Sequence, residues 1–281
     1  MLFHKLLIQF SVLAAVAFIP LLAAEPMNEP LLPGNLLPRA NPENVLVPVA
    51  AKAATETTPI DGKTAFPKML ADAKAAYGKT RDYMGHIVRQ ERINGNLQAE
   101  QVGELRVRVE PFCISLKLLS PKSARGWEAS YIQGKRDNKL RFKPADGAGA
   151  NGFTTIAIDD PKVLTESRHT LRDTGMLAIL ERVERVVAVE KKANNPVQIV
   201  VSNYQFESRP VQCYEIYTER PHPKRYAHRT VVYIDAKTKL PVRFEAYDQP
   251  KNGSVTGEMI ECISFVNLKW NSGLGDTAFD R

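Results

Sequence analysis

The sequence predicts a mainly β, α+β fold: a curled antiparallel sheet forming an incomplete barrel, with two amphipathic helices covering its concave face. Three observations predict it. Apolar and polar residues alternate through about eleven short segments between residues 80 and 268, and strict alternation marks strands with one buried and one wet face. Two segments carry helical spacing, one before the first strand and one midway along the chain. Strands this numerous curl, and two helices suffice to cover the mouth. A packed sandwich is the alternative, although it usually lacks amphipathic helices of this size.

The first helix rests on Phe66, Met69, Leu70, Ala73 and Tyr77, one apolar stripe, with Thr64 as its expected cap and Gly78 as its stop. Residues 80–93 then form a strand that turns at Asn94-Gly95, a strong hairpin signal. In the return strand Leu105, Val107 and Val109 alternate with Glu104, Arg106, Arg108 and Glu110. After Pro111, Phe112, Ile114, Leu116 and Leu118 alternate with Cys113, Ser115 and Lys117, and further strands are expected at 126–133, 138–143 and 153–158. The second helix carries Met176, Leu177, Leu180, Val183 and Val187, capped by Asp173 or Thr174 and stopped at Asn194-Asn195-Pro196. Five more strands follow near 197–205, 211–219, 228–236, 240–248 and 257–268, the third and fourth joined by the turn 236–239.

Residues 63–281 therefore read as one half-barrel domain, and the segments before it differ in kind. In residues 1–24 Lys5 is the one Lys, Arg, Asp or Glu, and Leu6–Ala24 is nearly all apolar, ending in Ala23-Ala24. That pattern reads as a secretory signal peptide and places the domain outside the cytoplasm, in the periplasm or beyond. An uncleaved membrane anchor is the alternative, weakened by Pro20, Gln9 and Ser11. Residues 25–62 hold prolines 26, 30, 33, 38, 42, 48 and 59 and no aromatic, so they read as a flexible linker.

Composition and charge exclude several classes. With 281 residues, 44% hydrophobic, 25% charged and 3 Cys, the chain is not disordered, collagen-like or a disulfide framework. The formal charge is +7, and residues 79–143 hold 14 Lys/Arg against 7 Asp/Glu, a surplus equal to that of the whole chain. Arg106 and Arg108 share an outward face, and Arg141 follows on a nearby strand. These are the expected contacts with an anionic membrane surface, although a solvated face that blocks edge pairing explains the same charges. Nucleic acid is not an expected partner, because no regular aromatic platform interleaves the basic band.

No serine-hydrolase elbow, zinc-protease helix, phosphate-binding loop, dinucleotide glycine pattern or calcium loop is present. No catalytic residue, metal or cofactor is expected. His222 and His228 lie among Lys224, Arg225 and Arg229, whose charges repel a metal ion. Glu91 or Glu128 with His169 or Asp173 would serve a hydrolase or polysaccharide-processing enzyme if at least two of them converged in one cleft. A wall-binding structural module is the third class. Cys113, Cys213 and Cys262 all fall on expected strands, and Cys213 with Cys262 could pair.

Arg89-Gln90-Glu91-Arg92-Ile93 with Gly95 and Leu97, then Arg106-Val107-Arg108 with Pro111-Phe112, resemble a family of exported bacterial proteins catalogued as domain of unknown function 1571. Gly126-Trp127-Glu128-Ala129 with Tyr131 and Gly134, and Arg168-His169 with Asp173-Thr174-Gly175, continue the resemblance over residues 66–250. The family brings no activity. Its element order in turn resembles the periplasmic lipoprotein carrier fold (LolA/LolB-like). That resemblance implies a non-enzymatic binder of a lipid or lipoprotein acyl group, with Phe112, Ile114, Leu116, Leu118 and Trp127 as lining candidates.

Overall fold

The computed structural model describes the strand 46–48 and residues 61–145, 152–160, 164, 167–251 and 256–280. The signal segment 1–24, and the linker 25–62 apart from 46–48 and 61–62, lie outside the described residues. The chain order is β1 (Leu46–Pro48), α1 (Gly62–Gly78), β2 (Asp82–Ile93), β3 (Asn96–Leu97), β4 (Gln101–Arg108), β5 (Cys113–Ser120), β6 (Glu128–Ile132), β7 (Lys139–Lys143) and β8 (Thr154–Ala157). Then come α2 (Met176–Lys192), β9 (Val197–Phe206), β10 (Arg209–Thr218), β11 (Arg229–Asp235), β12 (Pro241–Tyr247) and β13 (Met259–Trp270). Each expected strand is present, and β1 and the two-residue β3 are additions.

The strands form one antiparallel sheet in the order β1-β9-β10-β11-β12-β13-β2-β4-β5-β6-β7-β8, with β3 paired to β2. Among the described residues β1 and β8 are its two edges and do not meet, so the sheet curls without closing. The long link is β13 against β2, which joins the last strand to the first long one, Ile263 opposite Arg89 and Phe265 opposite Ile87. Asn94 and Gly95 both take positive φ, 49° and 81°, the backbone that a tight primed turn requires.

Alternation sends one residue set to each face. Tyr83, Ile87, Leu105, Val107, Ile114, Leu116, Phe244, Ile263 and Phe265 line the inner face and form one cluster with both helices. From α1 that cluster takes Phe66, Met69, Leu70, Ala73 and Tyr77, and from α2 it takes Met176, Ile179, Leu180, Val183 and Val186. The α1 stripe is the expected one; in α2, Ile179 and Val186 join while Leu177 and Val187 are only partly buried.

Both expected caps are corrected. α1 begins at Gly62 with Asp61 as its cap, whose carboxylate accepts from the Lys63 backbone N–H at 3.1 Å and from the Thr64 hydroxyl at 2.6 Å. Asp61 is favoured because its carboxylate reaches two donors of the first turn, whereas Thr64 already lies inside the helix. α2 is capped by Gly175 with no side-chain cap, and Asp173 and Thr174 fall in the preceding turn of 3-10 helix, Leu171–Thr174. A tertiary partner takes the missing role: the Met176 N–H donates to the Tyr83 hydroxyl at 3.0 Å. Burial pushes that phenol well above its usual pKa, so it stays neutral.

The thiols of Cys113, Cys213 and Cys262 are free and buried. Cys213 on β10 and Cys262 on β13 are separated by β11 and β12, so no cross-strand pairing brings them together. Burial pushes both thiols up to about 12, which leaves them inert as nucleophiles.

The outer face of β12 buries an ion pair. Arg243 is fully buried and donates from Nε to Glu245 at 2.6 Å and from Nη1 to the Ser264 hydroxyl at 2.8 Å. Glu245 accepts in turn from the Tyr247 hydroxyl at 2.8 Å. Replacing Glu245 by Ala strands a buried guanidinium, so urea denaturation should show a loss of about 3–5 kcal/mol. A loss under about 1 kcal/mol would mean that water reaches Arg243.

Candidate functional site

The inner face holds the expected lining residues. Ile114, Leu116 and Leu118 on β5 are buried in the cluster that both helices join, with the turn Leu171–Thr174 against that strand, while Phe112 and Trp127 are partly buried and pack against the same cluster. Phe112 meets Tyr131 with ring centroids 6.0 Å apart, and Trp127 meets Phe142 at 5.7 Å. The helices pack directly on this face. Access therefore requires a helix to move.

A cleft of about 340 Å³ marks where α1 crosses the ends of β9, β10 and β11. Met69 and Asp72 line one wall, and Pro210, Val211, Tyr214 and Ile234 line the other. Its volume falls near the lower bound of about 300 Å³ for small-molecule sites. Lys74 of α1 and Glu184 of α2 form an ion pair at 2.6 Å that ties the two helices together across their exposed sides.

A polar cluster occupies the inner face where α2 begins. Glu91 on β2 and Glu261 on β13 are direct cross-strand partners, and both face inward with Ile87 and Ile263. The segment before α2 adds Ser167, Arg168 and His169. The Ser167 hydroxyl donates to Glu91 at 3.0 Å and the Arg168 N–H at 3.4 Å, while His169 Nε2 meets Glu261 Oε2 at 2.7 Å. From α2, Arg182 Nη1 lies 3.6 Å from Glu261, and its Nη2 donates to the Asp173 carbonyl at 3.2 Å. Thus the expected pair Glu91 and His169 does converge, together with Glu261 and Arg182, which the sequence reading missed. Glu128 stays apart on the outer face in register with Lys117 and Lys143. Asp173 accepts from the Thr170 hydroxyl at 2.8 Å and shares the wall of a second cleft, about 350 Å³, with Arg168, His169, Arg182 and Tyr226.

The far end of α2 carries a matching clasp. Buried Glu190 accepts from Asn195, and His222 Nε2 lies 2.9 Å from the same carboxylate oxygen. His222 thus serves as a partner of α2.

The basic band is met by carboxylates. Arg106 pairs with Glu104 at 3.3 Å, Arg108 with Asp276 at 2.8 Å, and Arg141 with Asp280 at 3.5 Å. Arg108 also lies over the Phe279 ring at 5.7 Å, and Arg141 over Phe153 at 3.7 Å. Residues 276–280 therefore cross the outer face of β4–β7 and offset part of its surplus charge.

The model of the family described as "Protein of unknown function (DUF1571)" matches residues 80–281. No curated protein matches the chain. Among solved structures the chain is similar to the Mycobacterium tuberculosis lipoprotein LppX, at 11% identity and TM-score 0.40, over 74% of this chain and 98% of that one. It is also similar to a putative outer membrane lipoprotein-sorting protein domain from Vibrio parahaemolyticus, at 12% identity and TM-score 0.37, over 76% and 97%. A chain of the Pseudomonas aeruginosa MucA/MucB complex shows 14% identity and TM-score 0.42, over 75% and 59%. None of these likenesses transfers a ligand.

The polar cluster has a pH signature. Burial pushes the Glu261 carboxyl up, but the His169 hydrogen bond and the charges of Arg182, His169 and Arg168 outweigh it and hold the pKa below the usual range. A carboxyl depressed on folding stabilises above its unfolded pKa of about 4.3, and that contribution is lost as pH falls through the folded value. Urea midpoints measured from about pH 6 down to 3 should fall more steeply for the wild type than for Glu261→Gln. Parallel curves for the two proteins would show that the carboxylate adds nothing.

Proposed function

The chain belongs to the DUF1571 family, which carries no assigned activity, and from that premise we propose a non-enzymatic envelope protein that takes up a lipid or lipoprotein acyl chain between its sheet and its two helices. One observation carries the reading: a wide, open sheet presents a broad apolar face, broken by the Glu91–Glu261 cluster where α2 begins, and α1 and α2 roof it. The cleft beneath α1 supplies an entrance lined by Met69, Val211, Tyr214 and Ile234. An acyl chain that replaces the helix stripes on the inner face and reaches Phe112, Ile114, Leu116, Leu118 and Trp127 beside them keeps that face dry. Each buried methylene contributes about 0.8 kcal/mol, so about 16 carbons offset on the order of 10 kcal/mol of lost helix packing.

Residues 1–24 support export to the periplasm or another compartment beyond the inner membrane. Among the described residues no helix is long and apolar enough to cross a membrane. The proposal includes docking on an anionic membrane through Arg106, Arg108 and Arg141. Their carboxylate partners Glu104, Asp276 and Asp280 would be exchanged for headgroup phosphates.

A hydrolytic reading has one observation in its favour, the convergence of Glu91 and His169. Glu261 is 0% exposed and Glu91 6% exposed, so no substrate reaches either carboxylate in this arrangement. The binding reading leads for that reason.

Delipidated full-length protein should bind a fluorescent fatty acid saturably, one chain per protein. Cross-linking Lys74→Cys to Glu184→Cys with a short bis-maleimide should slow uptake at least about tenfold, because helices tied together cannot part. Absence of binding in the unlinked protein would sink the proposal.

Arg106→Glu with Arg141→Glu should reduce co-sedimentation with anionic vesicles and its dependence on salt, by about 1 kcal/mol per charge removed from the surface. Equal binding by the variant would reduce the basic band to a solvated face. Arg108 is left intact because it also holds Asp276 and packs on Phe279.

A further inference from the structure

We propose that Glu91, Glu261 and His169 form a site for a divalent first-row transition-metal ion. Each residue offers one ligand atom, and these atoms lie within 4.8 Å of one another. Donors bound at about 2.0–2.2 Å around one ion sit roughly 3–4 Å apart, so small side-chain rotations close the set.

Strand pairing makes the site. Glu91 and Glu261 are directly opposite on adjacent strands and both face inward. Like charges in that register repel, and burial heightens the cost. Glu91 is 6% exposed and Glu261 0%. His169 and Arg182 offset the charge of Glu261 from one side, on its Oε2 atom.

The hydrogen bonds leave room for a metal ion. On Glu91 the Oε2 atom accepts from Ser167 and from the Arg168 N–H, while Oε1 is buried and has no hydrogen-bond partner among the described residues. On Glu261 the Oε2 atom meets His169 and Arg182, while Oε1 is likewise buried without a hydrogen-bond partner among the described residues. Each carboxylate thus has one oxygen held by the protein and one left over. Metal-binding carboxylates have this arrangement, with outer groups orienting the ligand.

Arg182 and Arg168 decide the kind of ion. Their guanidinium charges oppose any cation held by charge alone, which weakens hard ions such as Ca²⁺ and Mg²⁺. A transition ion also gains a coordinate bond from the His169 imidazole, so an N/O/O set favours zinc, manganese or iron(II).

The test uses full-length protein stripped with a chelator, then dialysed and titrated calorimetrically with Zn²⁺ and separately with Ca²⁺. One Zn²⁺ should bind per chain, at least about tenfold more tightly than Ca²⁺. Glu261→Gln and His169→Gln should each weaken Zn²⁺ at least about tenfold, whereas Lys117→Ala, exposed on the outer face of β5, should leave it unchanged. No saturable binding, or equal binding by the two variants, overturns the proposal. Should either variant fail to fold, X-ray absorption of the zinc-loaded wild type decides the matter. One imidazole with oxygen ligands supports the site; sulfur ligation, or no imidazole, overturns it.

Discussion

An antiparallel sheet that does not close on itself must have its apolar face covered, and in this protein everything else follows from that need. Hydrogen bonding runs unbroken from β1 to β8, but the two edges do not meet. Closure would have hidden the inner face by geometry alone. Instead α1 and α2 cover it, each supplying one apolar stripe to the cluster built from the strands. The helices are joined to the sheet through side chains, with no strand-type backbone ladder between them among the described residues.

The apolar stripe of α2 is joined by polar contacts along the helix. The Tyr83 hydroxyl receives the Met176 N–H, Arg182 reaches Glu261, and Glu190 meets Asn195 and His222. Buried polar contacts of this sort lose much of their worth when one partner leaves, because the other remains desolvated. A helix clasped at both ends is accordingly held or released as a unit. That property joins the packing of the domain to the uptake proposed for it.

The sheet was legible in the sequence because its signal is local. Alternation over a few residues, a proline or an Asn-Gly turn suffices to place a strand, and the expected segments coincide with β2 and β4–β13. The caps were not legible. The donor that a cap on α2 would satisfy is taken by Tyr83, and that residue stands 93 positions earlier. Glu91 and His169 could be singled out as titratable residues in the reading, but Glu261 carries no motif, and only the β13–β2 register sets it beside Glu91. The basic band was visible as composition, whereas its partners Asp276 and Asp280 reach it only when the end of the chain folds back across β4–β7. Where contacts are distant in sequence, pattern reading loses them.

The central claim, that the two helices are a lid over an acyl site, is tested most directly by hydrogen–deuterium exchange of the full-length protein with and without a bound fatty acid. The account predicts faster exchange in residues 62–78 and 176–192 on ligand binding, while β2, β4, β5 and β10–β13 stay protected. Unchanged helix amides at saturating ligand, or protection lost throughout the sheet, would contradict it.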